Sequence, residues 1–178
     1  NCDVHFKNIE LRKNHTTQNG YAYFHITNGS ITLGDNAVVG GSASQVMNQG
    51  NGGVVYVEGG TNAFFTLNGE GAKIQYVKAD WEKGVFDGSN ELELHLLKGT
   101  ITGCTSTKGL VLGKNYFTVR LGDVVIENSA TPTVEGTSIY KVYITGKGSL
   151  GTIKAPSSKI YFAKSVIYDA GASTYQGG

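Results

Sequence analysis

The sequence predicts an all-β fold built as a β-solenoid, and three observations carry that expectation. The composition is the first: 178 residues include 26 Gly and only 2 Pro, with 16% charged residues. The remaining polarity is mostly Asn, Thr and Ser, so helix formers are scarce and strand and corner formers abundant. The second is a succession of short β-type runs, each bounded by Gly, Asn, Asp or Ser. The third is internal similarity, in which a strand, a Gly/Asn corner and a second strand recur along the chain.

In chain order, the runs begin with Val4-His5-Phe6, Ala22 to Ile26, Val54 to Val57 and Phe64 to Leu67. Leu92 to Leu97, Leu110 to Leu112, Tyr116 to Leu121 and Val124 to Ile126 follow, and then Ile139 to Ile144 and Lys159 to Phe162. Alternating or continuous apolar side chains of this length suit strands with a buried face. Helical hints are confined to Ala43 to Met47 and Ala79 to Lys83.

The repeats align residue by residue. Tyr23-Phe24-His25-Ile26, then Ile31-Thr32-Leu33-Gly34-Asp35, match Leu110-Val111-Leu112-Gly113, then Val119-Arg120-Leu121-Gly122-Asp123. Val54 to Val57 with Phe64 to Gly69 falls between them, and Val142 to Thr145 with Leu150 to Ile153 reads as a worn fourth copy. A third apolar pair follows each, as Val38-Val39, Ala72 with Ile74, and Val124-Val125-Ile126. A single rung of this kind cannot bury its own apolar side chains, so neighbouring rungs must stack and share one core. Anchors near Tyr23, Val55, Leu92, Val111, Val142 and Ile160 suggest rungs of about 20–30 residues, some lengthened by loops. Seven or so rungs would make a rod on the order of 35 Å long.

An antiparallel β-sandwich stands as the alternative. Asn19-Gly20, Asn28-Gly29, Asn51-Gly52 and Asn68-Gly69 are dipeptides that favour the tight turns of hairpins.

A formal charge of +1 gives no electrostatic reason to expect nucleic acid or an anionic membrane as partner. No apolar stretch approaches the length of a membrane span. The chain opens Asn1-Cys2-Asp3 without an initiator Met, and the expectation is a removed leader or an excised piece, with a secreted, extracellular or cell-surface location. Cys2 and Cys104 lie several rungs apart, on the order of 20 Å, so no disulfide is expected within one chain unless the N-terminal arm folds back, and a bond between subunits stays open. Asn14-His15-Thr16 and Asn28-Gly29-Ser30 match the glycan-acceptor pattern at Asn14 and Asn28.

Gly52-Gly53-Val54-Val55 and Phe65-Thr66-Leu67-Asn68 resemble the Gly-Gly-Ala-aliphatic and Phe-x-x-Asn motifs of bacterial surface adhesins of the polymorphic membrane protein type. Gly99 to Cys104 and Ser30 to Asn36 are similar to other phrases of such repeats. The resemblance covers 60–80 residues and implies a right-handed parallel β-helix displayed outside the cell, with no catalytic set. Residues 75–90 and the last 30 depart from it. The expected organisation is a single solenoid module over 1–178, with a loop excursion around 75–91.

The one concentration of candidate site residues is Asp80, Trp81, Glu82, Asp87 and Glu91, with Glu93 beside them. Trp81 could stack on a sugar with the carboxylates around it, or the segment could be a solvated acidic face with the indole folded onto the core. Asp87 to Glu91 places oxygen ligands at alternate positions without the rest of a Ca²⁺ loop. Polysaccharide cleavage would need clustered carboxylates for Ca²⁺ with an Arg or Lys base, or paired carboxylates across the bond; the only arginines are Arg12 and Arg120, and the acids outside this segment are scattered. His5, His15, His25 and His95 lack metal-ligand spacing. The sequence therefore predicts no enzyme, metal or cofactor. It predicts an extracellular structural protein: an adhesin module, or a filament subunit stacking end to end on copies of itself or adjoining repeats. A carbohydrate- or receptor-binding β domain is the alternative.

Overall fold

The computed structural model describes residues 2–12, 22–49, 53–58, 62–79, 83–88, 91–113, 116–127, 134–136, 140–144, 153–154 and 159–162. Its strands are β1 (Asp3–Phe6), β2 (Glu10–Leu11), β3 (Phe24–Ile26), β4 (Ser30–Leu33), β5 (Val38–Gly40) and β6 (Met47–Gln49). They continue as β7 (Val55–Val57), β8 (Phe64–Gln75), β9 (Val77–Ala79), β10 (Phe86–Gly88), β11 (Glu91–Thr102) and β12 (Thr105–Ser106). The last are β13 (Val111–Gly113), β14 (Tyr116–Glu127), β15 (Val134–Gly136), β16 (Tyr140–Ile144), β17 (Ile153–Lys154) and β18 (Lys159–Phe162).

These strands form a parallel β-helix. The first sheet runs β1-β4-β8-β11-β14-β16-β18, with β2 and β5 joined to it through β8. The second runs β3-β7-β10-β13-β15-β17 and the third β6-β9-β12. The chain passes from second to first to third sheet along β3–β6, repeats the path along β7–β9 and β10–β12, and continues through the first two sheets to β18. Every strand pairing among the described residues is parallel, and the isolated bridge between Ser42 and Gln45 is antiparallel. The sandwich alternative is thereby overturned. Its Asn-Gly signals turn the chain by a corner and do not reverse it: Gly29, at φ 89°, links β3 to β4, and Asn68-Gly69 lies at the bend inside β8. Residues 19–20 and 51–52 lie outside the described residues.

Register follows the repeat alignment. Phe24, Val55, Phe86 and Val111 stack in one column, and Ile31, Phe65, Leu94 and Val119 in another. Stepping along the first sheet from Ser30 to Phe64, Glu93, Thr118, Lys141 and Lys159 takes 34, 29, 25, 23 and 18 residues, so the rungs shorten along the chain. The anchors taken from sequence mixed two sides of the helix, because Tyr23, Val55 and Val111 belong to the second side whereas Leu92, Val142 and Ile160 belong to the first.

Inward positions form one continuous core. Leu33, Leu67, Leu96 and Leu121 are fully buried in register, each burial contributing about 1.5–3 kcal/mol. Four phenyl rings from alternating sheets zigzag along the axis, with centroids 5.7 Å apart for Phe6–Phe24, 6.0 Å for Phe24–Phe65 and 5.8 Å for Phe65–Phe86. Corners stack too. Asn8 and Asn36 both take positive φ (49° and 55°), and Asn36 Nδ2 donates to Asn8 Oδ1 at 2.9 Å. At Gly40, φ is 116° and a Cβ would stand 1.9 Å from the Gln75 carbonyl oxygen, so only glycine fits.

Two local expectations change. Ala43 to Met47 is no helix: Ser42 and Gln45 exchange backbone hydrogen bonds of 3.0 Å and the chain enters β6. The stretch 75–91 contains two strands of the stack, β9 and β10, while residues 80–82 and 89–90 lie outside the described residues. Both cysteines are free, Cys2 exposed and Cys104 buried. Cys104 Sγ donates weakly towards the carbonyls of Ile74 (3.7 Å) and Thr102 (3.6 Å), and burial pushes its thiol up to about 12.

Candidate functional site on the outer face of the first sheet

Of the acidic cluster singled out by sequence, Asp87 is the residue whose side chain is described. Asp80, Trp81 and Glu82 lie outside the described residues, and Glu91 opens β11 opposite Tyr116. Asp87 is fully buried, in the middle of β10. Its Oδ2 accepts from the Gly84 N–H at 3.2 Å, and Lys83 Nζ stands 3.8 Å from Oδ1. The same ammonium lies over the Tyr56 ring, 5.5 Å from its centroid. Gly84 packs so closely that a Cβ there would meet the backbone of Phe86 and Leu112 at 2.6 and 2.7 Å. Asp87 therefore ties the 83–88 turn onto the second sheet, and a surface ligand cannot reach it. A fully buried carboxylate persists only with such partners.

Asn14 lies outside the described residues. Asn28 is exposed at its corner, while Ser30, two residues on, is only 5% exposed and donates its hydroxyl to Asp3 Oδ1 at 2.6 Å.

A different set of side chains is brought together on the first sheet. Successive strand residues point to opposite faces, so the positions between the buried columns face out. One outward column reads Asp3, Ser30, Phe64, Glu93, Thr118 and the next His5, Thr32, Thr66, His95, Arg120, Tyr143. Glu93 is the hub. Its Oε1 lies 2.8 Å from His95 Nε2 and 3.5 Å from Arg120 Nε. The Arg120 guanidinium carbon sits over the Tyr143 ring, 4.7 Å from the centroid, and the Phe64 and His95 rings are 5.3 Å apart and tilted by 30°. Side chains of Arg120 and Glu93 are 44% and 42% exposed.

The arrangement is a strip of five side chains crossing four strands, β8, β11, β14 and β16. Arg120 uses Nε towards Glu93, and among the described residues no hydrogen bond or ion pair engages its two Nη groups. With the Arg120 side chain 44% exposed, a planar anion can reach the forked edge of the guanidinium and receive its N–H groups. Phe64 adds a partly exposed ring, and Thr32 and Thr118 add partly exposed hydroxyls. Among the described residues no three His, Cys, Asp or Glu side chains are placed to hold a metal ion. No helix of the described residues is long and apolar enough to cross a membrane.

These residues were missed because they are far apart in sequence and unremarkable one at a time. The repeat alignment held the signal: it placed Thr32 opposite Arg120, and adding the Leu92 to Leu97 run to the same column would have brought in His95 and Glu93.

A second outward cluster lies on the second sheet, where His25 Nε2 is 2.8 Å from Glu58 Oε2 and its ring 5.3 Å from that of Tyr56. An open cavity of about 530 Å³ is lined by Phe6, Leu11, Arg12, Ala22 and Tyr23, with the Arg12–Glu10 ion pair at its edge. No protein-family model, curated protein or solved structure matches this chain.

Proposed function

We propose that this chain is an extracellular adhesin-type module, a stiff β-solenoid that grips an extended partner along the outer face of its first sheet. The observation that carries the reading is the Phe64–His95–Glu93–Arg120–Tyr143 strip, held on consecutive strands of a ladder whose inward residues Phe65, Leu67, Leu94, Leu96, Val119 and Leu121 are fully buried. Strands about 4.8 Å apart repeat the same outward positions along the rod, so affinity is spread over a line of contacts and not concentrated in a cleft. The motif resemblance at Gly52–Val55 and Phe65–Asn68 supports the same reading. Binding without turnover is part of it: the strip holds a single carboxylate, whereas most glycoside hydrolases need two across the scissile bond. A glycan array probed with the purified chain tests the reading. Selective retention of saccharides, lost on replacing Phe64 and Arg120 together, supports it; no retention on any array refutes it.

A second reading, the filament subunit, is favoured by one observation. Among the described residues β1 pairs on one side only, with β4, and an open strand edge is a template for another strand. Further rungs from a longer polypeptide or a second copy would complete it. Light scattering and negative-stain images decide this: rods that lengthen with concentration support it, and a monomer at every concentration refutes it.

A further inference from the structure

We propose that the ligand class of this strip is an acidic polysaccharide, a chain carrying uronate-type carboxylates, with Arg120 as the carboxylate-binding residue; this rests on the binding-module reading above. Two features point to a carboxylate. Arg120 is oriented from two sides, by Glu93 at 3.5 Å through Nε and by the Tyr143 ring beneath its guanidinium. A fork held in this way loses little side-chain freedom on meeting a planar anion. Among the described residues its Nη groups have no hydrogen-bond or ion-pair partner, and the side chain is 44% exposed.

Two further features point to a saccharide and against an acidic peptide. The backbone of β8, β11, β14 and β16 is paired on both sides within the sheet, so a peptide cannot add a strand at the strip and loses its main-chain mode of recognition. What the face presents instead is a part-exposed phenyl ring at Phe64, hydroxyls at Thr32 and Thr118, and an imidazole at His95. An apolar ring face beside dispersed hydroxyl and ring-nitrogen groups matches a pyranose, which has one C–H face and a rim of hydroxyls. Phe64 and Arg120 stand two strands apart, about 10 Å, so an oligosaccharide spans both where a single sugar reaches one.

The test is isothermal titration of the whole chain with oligogalacturonate, with the same oligomer after methyl esterification, and with poly-glutamate. Oligogalacturonate should bind and its neutral ester should bind at least tenfold more weakly. Arg120→Ala should weaken the acidic oligomer about 10- to 100-fold, the range for a charge-assisted hydrogen bond. Arg120→Lys, which keeps the charge and loses the fork, should recover only part of that loss. Because Arg120 is exposed, unchanged melting curves for both variants show that the fold is intact. Equal binding of ester and acid, or an Arg120→Ala variant that binds the acid like the wild type, overturns the acidic-ligand assignment and leaves the module reading standing. Preference for poly-glutamate also overturns it. If neither oligosaccharide binds, the assignment falls, and a blank glycan array would then take the module reading with it.

Discussion

Phe65→Ala probes the shared core directly. Phe65 is fully buried in β8 and touches rings from two other rungs, Phe24 at 6.0 Å and Phe86 at 5.8 Å. Truncating such a side chain removes its transfer free energy and leaves a cavity that the closed ladder around it cannot collapse, for a cost of about 3–5 kcal/mol. For a chain of this size that corresponds to a fall in melting temperature of roughly 6–20 °C. Val125→Ala is the matched control: Val125 lies in β14, faces outward and is 52% exposed, so its truncation should stay within about 0.5 kcal/mol. The assay is urea unfolding followed by far-ultraviolet circular dichroism and tyrosine fluorescence. Coincidence of the two probes checks that the stack unfolds as one unit, which repeat proteins do not always do. If Phe65→Ala were no more destabilising than Val125→Ala, the zigzag of rings would not be joining one rung to the next, and the argument for a single continuous core would fail.

Gly40→Ala combines a φ of 116° with a Cβ 1.9 Å from the Gln75 carbonyl and should cost about 3 kcal/mol or more; Gly34→Ala, whose Cβ meets only the flexible Lys7 side chain at 3.2–3.3 Å and the Phe6 carbonyl at 3.3 Å, should cost clearly less in the same melt. Asp87→Ala strips the buried acceptor from Gly84 N–H and the neighbouring charge from Lys83 and should destabilise by about 1–3 kcal/mol, with Asp87→Asn milder; equal stability of all three proteins would contradict the tether. With a thiol reagent at neutral pH, one equivalent should react in the native protein, at Cys2, and two after unfolding, because Cys104 is buried. The Cys104 thiol is raised from 9.0 to about 12, so above pH 9 the unfolded chain releases a proton that the folded chain retains. Stability is therefore lost as pH rises from 9 towards 12, and Cys104→Ala should make that decline shallower; an unchanged slope would refute the linkage.

Much of the fold is legible in the chain because a solenoid writes its contacts into the sequence as a repeat. Ile31, Phe65 and Val119 fall in one column by the repeat alone, since residues that stack must share burial and corner chemistry with the rung next door. The rung that begins at Phe86 escaped, because Phe86-Asp87-Gly88 sits in a stretch whose acids and glycine look like a loop. The third side escaped as well: β6, β9 and β12 are two or three residues long and carry too little periodicity to stand out.

The chain by itself determined the class of fold, since few helix formers, abundant corner residues and an apolar pattern repeated rung after rung leave stacking as the way to bury the apolar side chains. Tertiary structure alone decided the outer surface. Outward residues need only tolerate water, so nothing in the repeat constrains them, and their meaning arises when closure of each turn sets Glu93 beside Arg120 and Arg120 over Tyr143. It also decided that Asp87 is a buried tether and not a ligand, because a carboxylate's role depends on whether the next segment leaves it in water or folds over it.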